Sequence, residues 1–172
     1  MRGARVLAAA LTVSAAGFAA WQASEGFSSA PIIPTKGDVP TIGHGSTRYE
    51  DGTRVRMTDP PITRERAAIL ARNLMGEDEK RFRDSLPGVK LHQEEYDLYL
   101  DFVGQYGIGR WRSSSMRREL LAGNYAAACK ALLLYKFQGG RDCSKPQNWG
   151  PKGCKGVWTR QLERYSACMG AQ

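Results

Sequence analysis

The sequence is poor in the residues that most directly signal chemistry. It has two histidines, His44 and His92, so a histidine-rich metal centre is excluded. Its four cysteines, Cys129, Cys143, Cys154 and Cys168, all lie in the C-terminal quarter, and no C-x-x-C pair exists. Internal repeats and low-complexity blocks are absent. Acidic residues are in deficit, 17 Asp+Glu against 25 Lys+Arg, which leaves +8. That balance suits an acidic partner: nucleic acid, an anionic membrane face or an anionic cell-wall polymer, without choosing among them. With 172 residues, 42% hydrophobic and 24% charged, the composition excludes a disordered tail, a collagen-like repeat and a multi-span membrane protein. It fits one domain, or one domain plus an appendage.

Charge is missing altogether from Val6 to Ser24, a run of 19 residues that follows a basic start of Met1, Arg2 and Arg5. As a helix the run is long enough to span a bilayer core. Eight of its residues are alanine, and Val6, Leu7, Leu11, Val13, Phe18 and Trp21 are its strong apolar side chains. Such a helix enters a membrane and holds there weakly, with Arg2 and Arg5 keeping its N-terminus cytoplasmic and exporting everything after Glu25. A cleaved signal peptide and a buried cytosolic helix are the alternatives.

Cysteine usage agrees with export. Four cysteines allow three pairings, and the nested one, Cys143–Cys154 inside Cys129–Cys168, is the most economical. The inner bridge would staple the loop from Gly139 to Gly156, and the outer one would tie two helices together. Disulfides imply an oxidising compartment. A zinc site of four thiolates is the competing reading, and the missing C-x-x-C weighs against it.

After Glu25, Pro31, Pro34, Gly37 and Pro40 exclude a continuing helix. Thr41–Thr47 and Thr53–Met57 read as two short strands around an Asp51-Gly52 turn, with too little apolar surface to form a core. A helix is expected from an N-cap at Thr63 to the break at Pro87-Gly88, with Ala67, Ile69, Leu70, Leu74 and Phe82 as its apolar stripe. A second starts near His92, buries Tyr96, Tyr99, Leu100, Phe102 and Val103, and ends at Gly107-Ile108-Gly109. Further helices are expected over Ser115–Leu121, over Tyr125–Phe137 with Leu132, Leu133 and Leu134 inward, and over Trp158–Met169. The layout is α+β: an N-terminal helix, a small hairpin lobe and a helical body.

Glu25 closes the uncharged run and Gly26 follows it, which places a carboxyl at a helix end. Partial burial there would favour its protonated form, as a general acid requires; a solvated charge bounding a membrane segment is the bland alternative. Sixteen residues on, Thr41-Ile42-Gly43-His44-Gly45-Ser46-Thr47 opens the first strand.

In combination these residues resemble the T4-type phage lysozymes (glycoside hydrolase family 24), whose pattern is Glu, eight residues, Asp or Cys, five residues, Thr. Phe102–Gly109, Ser115–Tyr125 and Gly156–Glu163 resemble later segments of that family in the same order. The likeness spans residues 25–169. It implies a lysozyme-like α+β fold and an N-acetylmuramidase that cleaves the β-1,4 bond between N-acetylmuramic acid and N-acetylglucosamine without metal or cofactor. On that likeness Glu25 is the acid and Thr41 holds the water. The second carboxylate of the pattern falls on Pro34 or Thr35, neither acidic, because the connector has one extra residue. Asp38 is the one carboxylate between Glu25 and Thr41, so either Asp38 or Thr35 assists, or Asp38 merely caps a turn. His44 is expected to pack or to touch the edge of the substrate.

A weakly apolar helix placed before the catalytic Glu resembles the signal-anchor-release (SAR) endolysins. That likeness implies residues 1–24 as an anchor and 25–172 as the catalytic domain. The enzyme would first be tethered, inactive, to the inner membrane of a Gram-negative host through residues 6–24. It would then be released into the periplasm as an active monomer acting on peptidoglycan. The anchor holds no cysteine, so displacement of Glu25 is the expected restraint. Two other classes stay open: a membrane-anchored, non-catalytic wall-binding protein, and a small basic nucleic-acid binder. The second would not need an apolar N-terminus or paired cysteines. Arg110, Arg112, Arg117 and Arg118 with Trp111 are expected to form a basic face, and Arg160 and Glu163 a structural pair.

Overall fold

Residues Val6 to Ser24 do not fold as one helix in the structure, a computed structural model that describes residues 3–172. Arg2, part of the basic start, lies outside those residues. In chain order the elements are β1 (Val6–Leu7), a 3-10 turn (Ala8–Ala10), α1 (Ala15–Glu25), β2 (Ser28–Ile32), β3 (Thr41–Gly43) and α2 (Arg64–Asp84). There follow β4 (Lys90–Leu91), α3 (Gln93–Arg112), α4 (Ser115–Leu121), α5 (Tyr125–Ala131) and a 3-10 turn (Leu132–Leu134). The chain ends with β5 (Phe137–Gln138), β6 (Arg141–Asp142), a 3-10 turn (Pro146–Asn148) and α6 (Lys155–Gly170). The fold is α+β with a mainly helical body.

The uncharged run is divided by local hydrogen bonding. Val6 and Leu7 pair antiparallel with Leu91 and Lys90, and Ala8 is buried, its amide donating to the Val89 carbonyl at 2.8 Å. Extended backbone from Leu11 to Ser14 is held by side chains: Arg83 donates to the Leu11 carbonyl, Gln93 to the Thr12 carbonyl, and the Val13 amide to Glu79. Ser14 then caps α1, its Oγ accepting from the Gly17 amide at 2.9 Å. Among the described residues no helix is long and apolar enough to cross a membrane.

Two compact units emerge, divided inside α2 at Arg81/Phe82: Val13–Arg81, and Phe82–Gln172 together with the residues up to Thr12. In Val13–Arg81, α1 buries Phe18 and Trp21, and Arg72 lies over the Phe18 ring. Strands β2 and β3 pair antiparallel, Ser28 with Gly43 and Ile32 with Thr41, with a bulge between. Strand β2 was not among the expected elements; its Pro31 is tolerated because a two-stranded sheet is all edge. The expected strand pair over 41–47 and 53–57 shrinks to β3 and two isolated bridges, Ile42 with Ser46 and Arg48 with Arg54. Gly43 and Gly45 turn the chain at φ +67° and +88°. The Asp51-Gly52 turn is present, closed by the Gly52 amide on the Tyr49 carbonyl at 3.0 Å. This region does have a core: Ile42 and Val55 are buried against Leu70 of α2, flanked by Tyr49 and Ile62. Gly43 is what lets α2 approach, since a Cβ there would meet that of Ala67 at 2.9 Å. Helix α2 is capped by Thr63, and its inward stripe is Ala67, Leu70, Ala71 and Met75; Ile69 and Leu74 face solvent instead.

The Phe82–Gln172 unit is built on aromatic packing. Phe82 meets Tyr96 and Trp111 edge-on or tilted, at 5.2 and 5.0 Å between centroids, and Tyr99 meets Trp111 at 5.3 Å. Trp111 is fully buried and donates to Ser85 Oγ at 2.8 Å, so it is no part of a basic face. Arg117 donates to the Ser85 carbonyl, whereas Arg110, Arg112 and Arg118 are exposed, Arg118 pairing with Glu119. Helical geometry breaks at Gly107 (φ 83°, ψ 156°) and resumes to Arg112, rather than ending there. Helix α5 stops at Ala131; Leu132 is buried, whereas Leu134 and Phe137 are exposed. Arg160 finds Asp101 at 2.6 Å on α3, and Arg164 joins the same carboxylate. Both expected disulfides are present. Cys129–Cys168 joins α5 to α6, and Cys143–Cys154 closes the loop before α6.

Candidate active site

Glu25 is the last residue of α1, and Gly26 stops the helix at φ 73°, a conformation other residues rarely adopt. The Gly26 carbonyl accepts a bond from Nδ1 of His44 at 2.5 Å, which ties the end of α1 to the residue after β3. Because a carbonyl only accepts, Nδ1 is the donor in that bond, while Nε2 lies 3.4 Å from the Gln22 side-chain amide. The ring is 7% exposed and lies 5.7 Å from that of Phe27. His44 thus packs beside Phe27 and is bonded to the residue after Glu25.

Around this contact opens a cavity of about 510 Å³ lined by Gln22, Ala23, Gly26, Phe27, His44 and Arg64. Its size suits one or two sugar rings. Arg64 stacks over Phe27 at 4.3 Å, placing a positive charge beside an aromatic face. Glu25 itself is exposed rather than half-buried, with the cavity-lining residues Ala23 and Gly26 on either side of it in the chain.

Thr41 opens β3 and is half-buried. Its hydroxyl reaches the Ile32 carbonyl only at 3.4 Å, too long to engage it fully. Thr35 and Asp38 occupy the loop between β2 and β3, both exposed. The Asp38 amide donates to the Thr35 carbonyl at 2.9 Å, and Gly37 takes φ +94° at the third position of that turn. The structure thus joins Thr35 to Asp38, and Glu25 to His44 through Gly26. It sets Thr41 on the hairpin that follows Glu25.

A family model for phage lysozyme matches residues 22–147, a stretch that contains Glu25, the hairpin and the cavity. The chain belongs to the phage lysozyme family. It is 35% identical over 104 residues to the endolysin of Salmonella phage P22, covering 59% of this chain and 68% of that one. A crystal structure of a P22 lysozyme mutant superposes with a TM-score of 0.74 at 25% identity, covering 92% of this chain and 99% of the other. The endolysin from Escherichia coli O157:H7 phage FAHEc1 shares the fold at a TM-score of 0.70 and 21% identity, covering 100% and 98%. Within this phage lysozyme, Gln22, Phe27 and Arg64 are cavity residues that sequence reasoning missed. Phe27 lies beyond the glycine that breaks α1, and Arg64 sits in a charged helix start, so neither stands out in a one-dimensional pattern.

Proposed function

We propose that Glu25 protonates the leaving oxygen of the β-1,4 bond between N-acetylmuramic acid and N-acetylglucosamine, while Thr41 holds the attacking water. The protein is a lysozyme, a glycoside hydrolase that acts on peptidoglycan. The supporting observation is the continuity of Glu25, the His44–Gly26 bond and the β2–β3 hairpin beside a sugar-sized cavity. A glycan seated there displaces water from the Glu25 carboxyl and favours its protonated form. Thr41, with one weak bond of its own, keeps its lone pairs for water. Asp38 or Thr35 assists from the turn; an inverting geometry would need such a partner roughly 6.5–9.5 Å from Glu25. The reaction needs neither metal nor cofactor. Glu25→Gln tests the assignment: clearing of permeabilised Gram-negative cells should fall to background, and retained clearing overturns it.

We further propose that residues 1–24 act as the anchor of a signal-anchor-release endolysin, with 25–172 as the catalytic domain that works as a monomer in the periplasm. The lack of charge from Val6 to Ser24 and the exposure of Val6 and Leu7 support this reading. In a tethered state Arg5 stays at the cytoplasmic face and Glu25 is pinned at the bilayer surface, away from the cavity. Fractionation tests it: full-length protein should occur in both inner-membrane and soluble pools. A soluble pool made only of chain shortened to about Ala16 or Ala20 would establish a cleaved signal peptide instead.

A further inference from the structure

The segment between β5 and α6 is a small, rigid, basic platform. Gly139 and Gly140, at φ +55° and +77°, make the two-residue turn of the β5–β6 hairpin. Cys143–Cys154 closes the loop between that hairpin and α6. Asn148 donates to the Asp142 carbonyl at 2.8 Å, and the Cys154 amide donates back to the Asn148 carbonyl at 2.9 Å. Trp149 is pinned by its indole N–H on the Cys143 carbonyl at 2.8 Å, yet stays 37% exposed, with the Lys155 ammonium 4.9 Å from its ring. Gly153 is packed so tightly that a Cβ would come within 2.5 Å of the Asn148 carbonyl oxygen. The exposed indole is therefore fixed by an in-plane bond, with the Lys155 ammonium over one of its faces.

Beside it lies a cavity of about 500 Å³, lined by Arg141, Gln147, Asn148, Trp149 and Lys152 among others. From Phe137 to Lys155 the cations are Arg141, Lys145, Lys152 and Lys155, against one carboxylate, Asp142. Asp142 is already committed: bonds from Ser144 and Lys136 lower its carboxyl to about 2. Arg141 spends one N–H on the Lys152 carbonyl and keeps the rest of its fork.

We propose that this platform is a second glycan-binding site, which takes a stretch of peptidoglycan away from the bond being cut. An N-acetylated sugar ring lies on the Trp149 indole, Gln147 and Asn148 bond its hydroxyl and acetamido groups, and Arg141 and Lys152 pair with carboxylates of the attached stem peptide. The ligand is thus a sugar chain carrying free carboxylates. A lipid surface fits less well, because Trp149 and Pro151 are the cavity's only large apolar groups among amides and cations. The proposal rests on the lysozyme reading for its substrate class and uses none of the residues placed at the cleavage site.

The test is co-sedimentation of the full chain carrying Glu25→Gln with purified sacculi, which leaves the polymer intact. Adding Arg141→Gln with Lys152→Gln should raise the apparent Kd roughly tenfold, and Trp149→Ala by a similar factor. Trp149→Phe, which keeps a ring but drops the indole bond, should lose less. With Glu25 restored, these variants should hydrolyse a short muramyl oligosaccharide without stem peptide at the parental rate, which also shows them folded. Unchanged sedimentation of the Arg141/Lys152 pair overturns the site. So does weakening that persists on sacculi stripped of their stem peptides, or weakened binding to phosphatidylglycerol vesicles with sacculus binding intact. If the Glu25→Gln chain dissolves the sacculi, it is the assignment of the acid that fails, a distinct outcome.

Discussion

The fully buried carboxylate of Glu95 is held by the guanidinium of Arg5, ninety positions earlier, through bonds of 2.9 and 3.0 Å. Gln172, the last residue, donates to the same carboxylate at 2.8 Å, and the His92 amide does so as the cap of α3. Arg5 and Gln172 thus meet on one side chain at the start of α3. Burial alone pushes the Glu95 carboxyl up, but the bonds from Arg5, the His92 amide and Gln172 outweigh it and hold it below the usual carboxylate range.

A carboxyl lowered in the folded state contributes stability that is present above its unfolded value near 4.5 and is lost as pH falls through the folded value. Arg5→Gln removes the main opposing influence, so burial takes over. The variant should lose about 2–3 kcal/mol near neutral pH and begin to unfold at a higher pH than the parent on acidification. Urea midpoints from pH 3 to 7 measure this. A loss that stays the same across that range would mean the effect is packing against Tyr125, which Arg5 also covers at 3.8 Å.

At the cleavage site, Thr41→Val keeps the shape of the side chain and removes its hydroxyl. If Thr41 holds the water, hydrolysis of sacculi should fall by about 10²–10⁴ with the urea midpoint little changed. Asp38→Asn and Thr35→Val, made separately, show which corner of the turn assists. The one that matters should lower kcat and leave KM near the parental value.

If His44 acts by holding the Gly26 carbonyl, its loss should be felt at Glu25. His44→Ala leaves the Gly26 carbonyl without its donor and frees the residue after Glu25 to move. Misplacement of the acid should cost roughly a hundredfold in kcat, with about 1–3 kcal/mol of stability. His44→Asn presents an N–H close to where Nδ1 sits and should recover much of kcat. That recovery separates positioning from bulk, because His44→Leu fills the space equally and should not rescue.

Elements governed by nearby residues were legible in the sequence. Thr63 caps α2, and Gly123 follows α4 in the left-handed conformation, both as the local sequence indicates; the Ser14 cap of α1 was hidden inside a run that reads as one helix. The inner face of α3 and the nested disulfides could also be read from spacing. Features that were hidden depend on partners distant in sequence. Val6 and Leu7 become a strand only because Leu91 and Lys90 offer an edge, and nothing in an alanine-rich run announces that. Strand β2 forms only by pairing with β3, and the outward turn of Ile69 and Leu74 reflects where the hairpin core meets α2. At the site, the order Glu25 then Thr41 could be read from sequence. The His44–Gly26 bond could not, since it links a loop to a helix end across eighteen residues.

The two disulfides should differ in weight and in consequence. Cys129 and Cys168 are 39 residues apart and Cys143 and Cys154 are 11 apart. Loop-closure entropy then assigns about 4 kcal/mol to the first bridge and about 3 kcal/mol to the second. Replacing each pair by Ala and measuring urea midpoints checks the order. The outer pair joins two helices of the body, so its loss should lower the midpoint of the whole unit. The inner pair closes only the Trp149 platform, so its loss should increase proteolysis between Asp142 and Cys154 and weaken sacculus binding. Hydrolysis of a short oligosaccharide should be unaffected. All four cysteines are buried, so a thiol reductant reaches them only when the chain opens locally. Under native conditions the inner bridge should therefore reduce first, because a short surface loop opens at lower free energy than a helix pair.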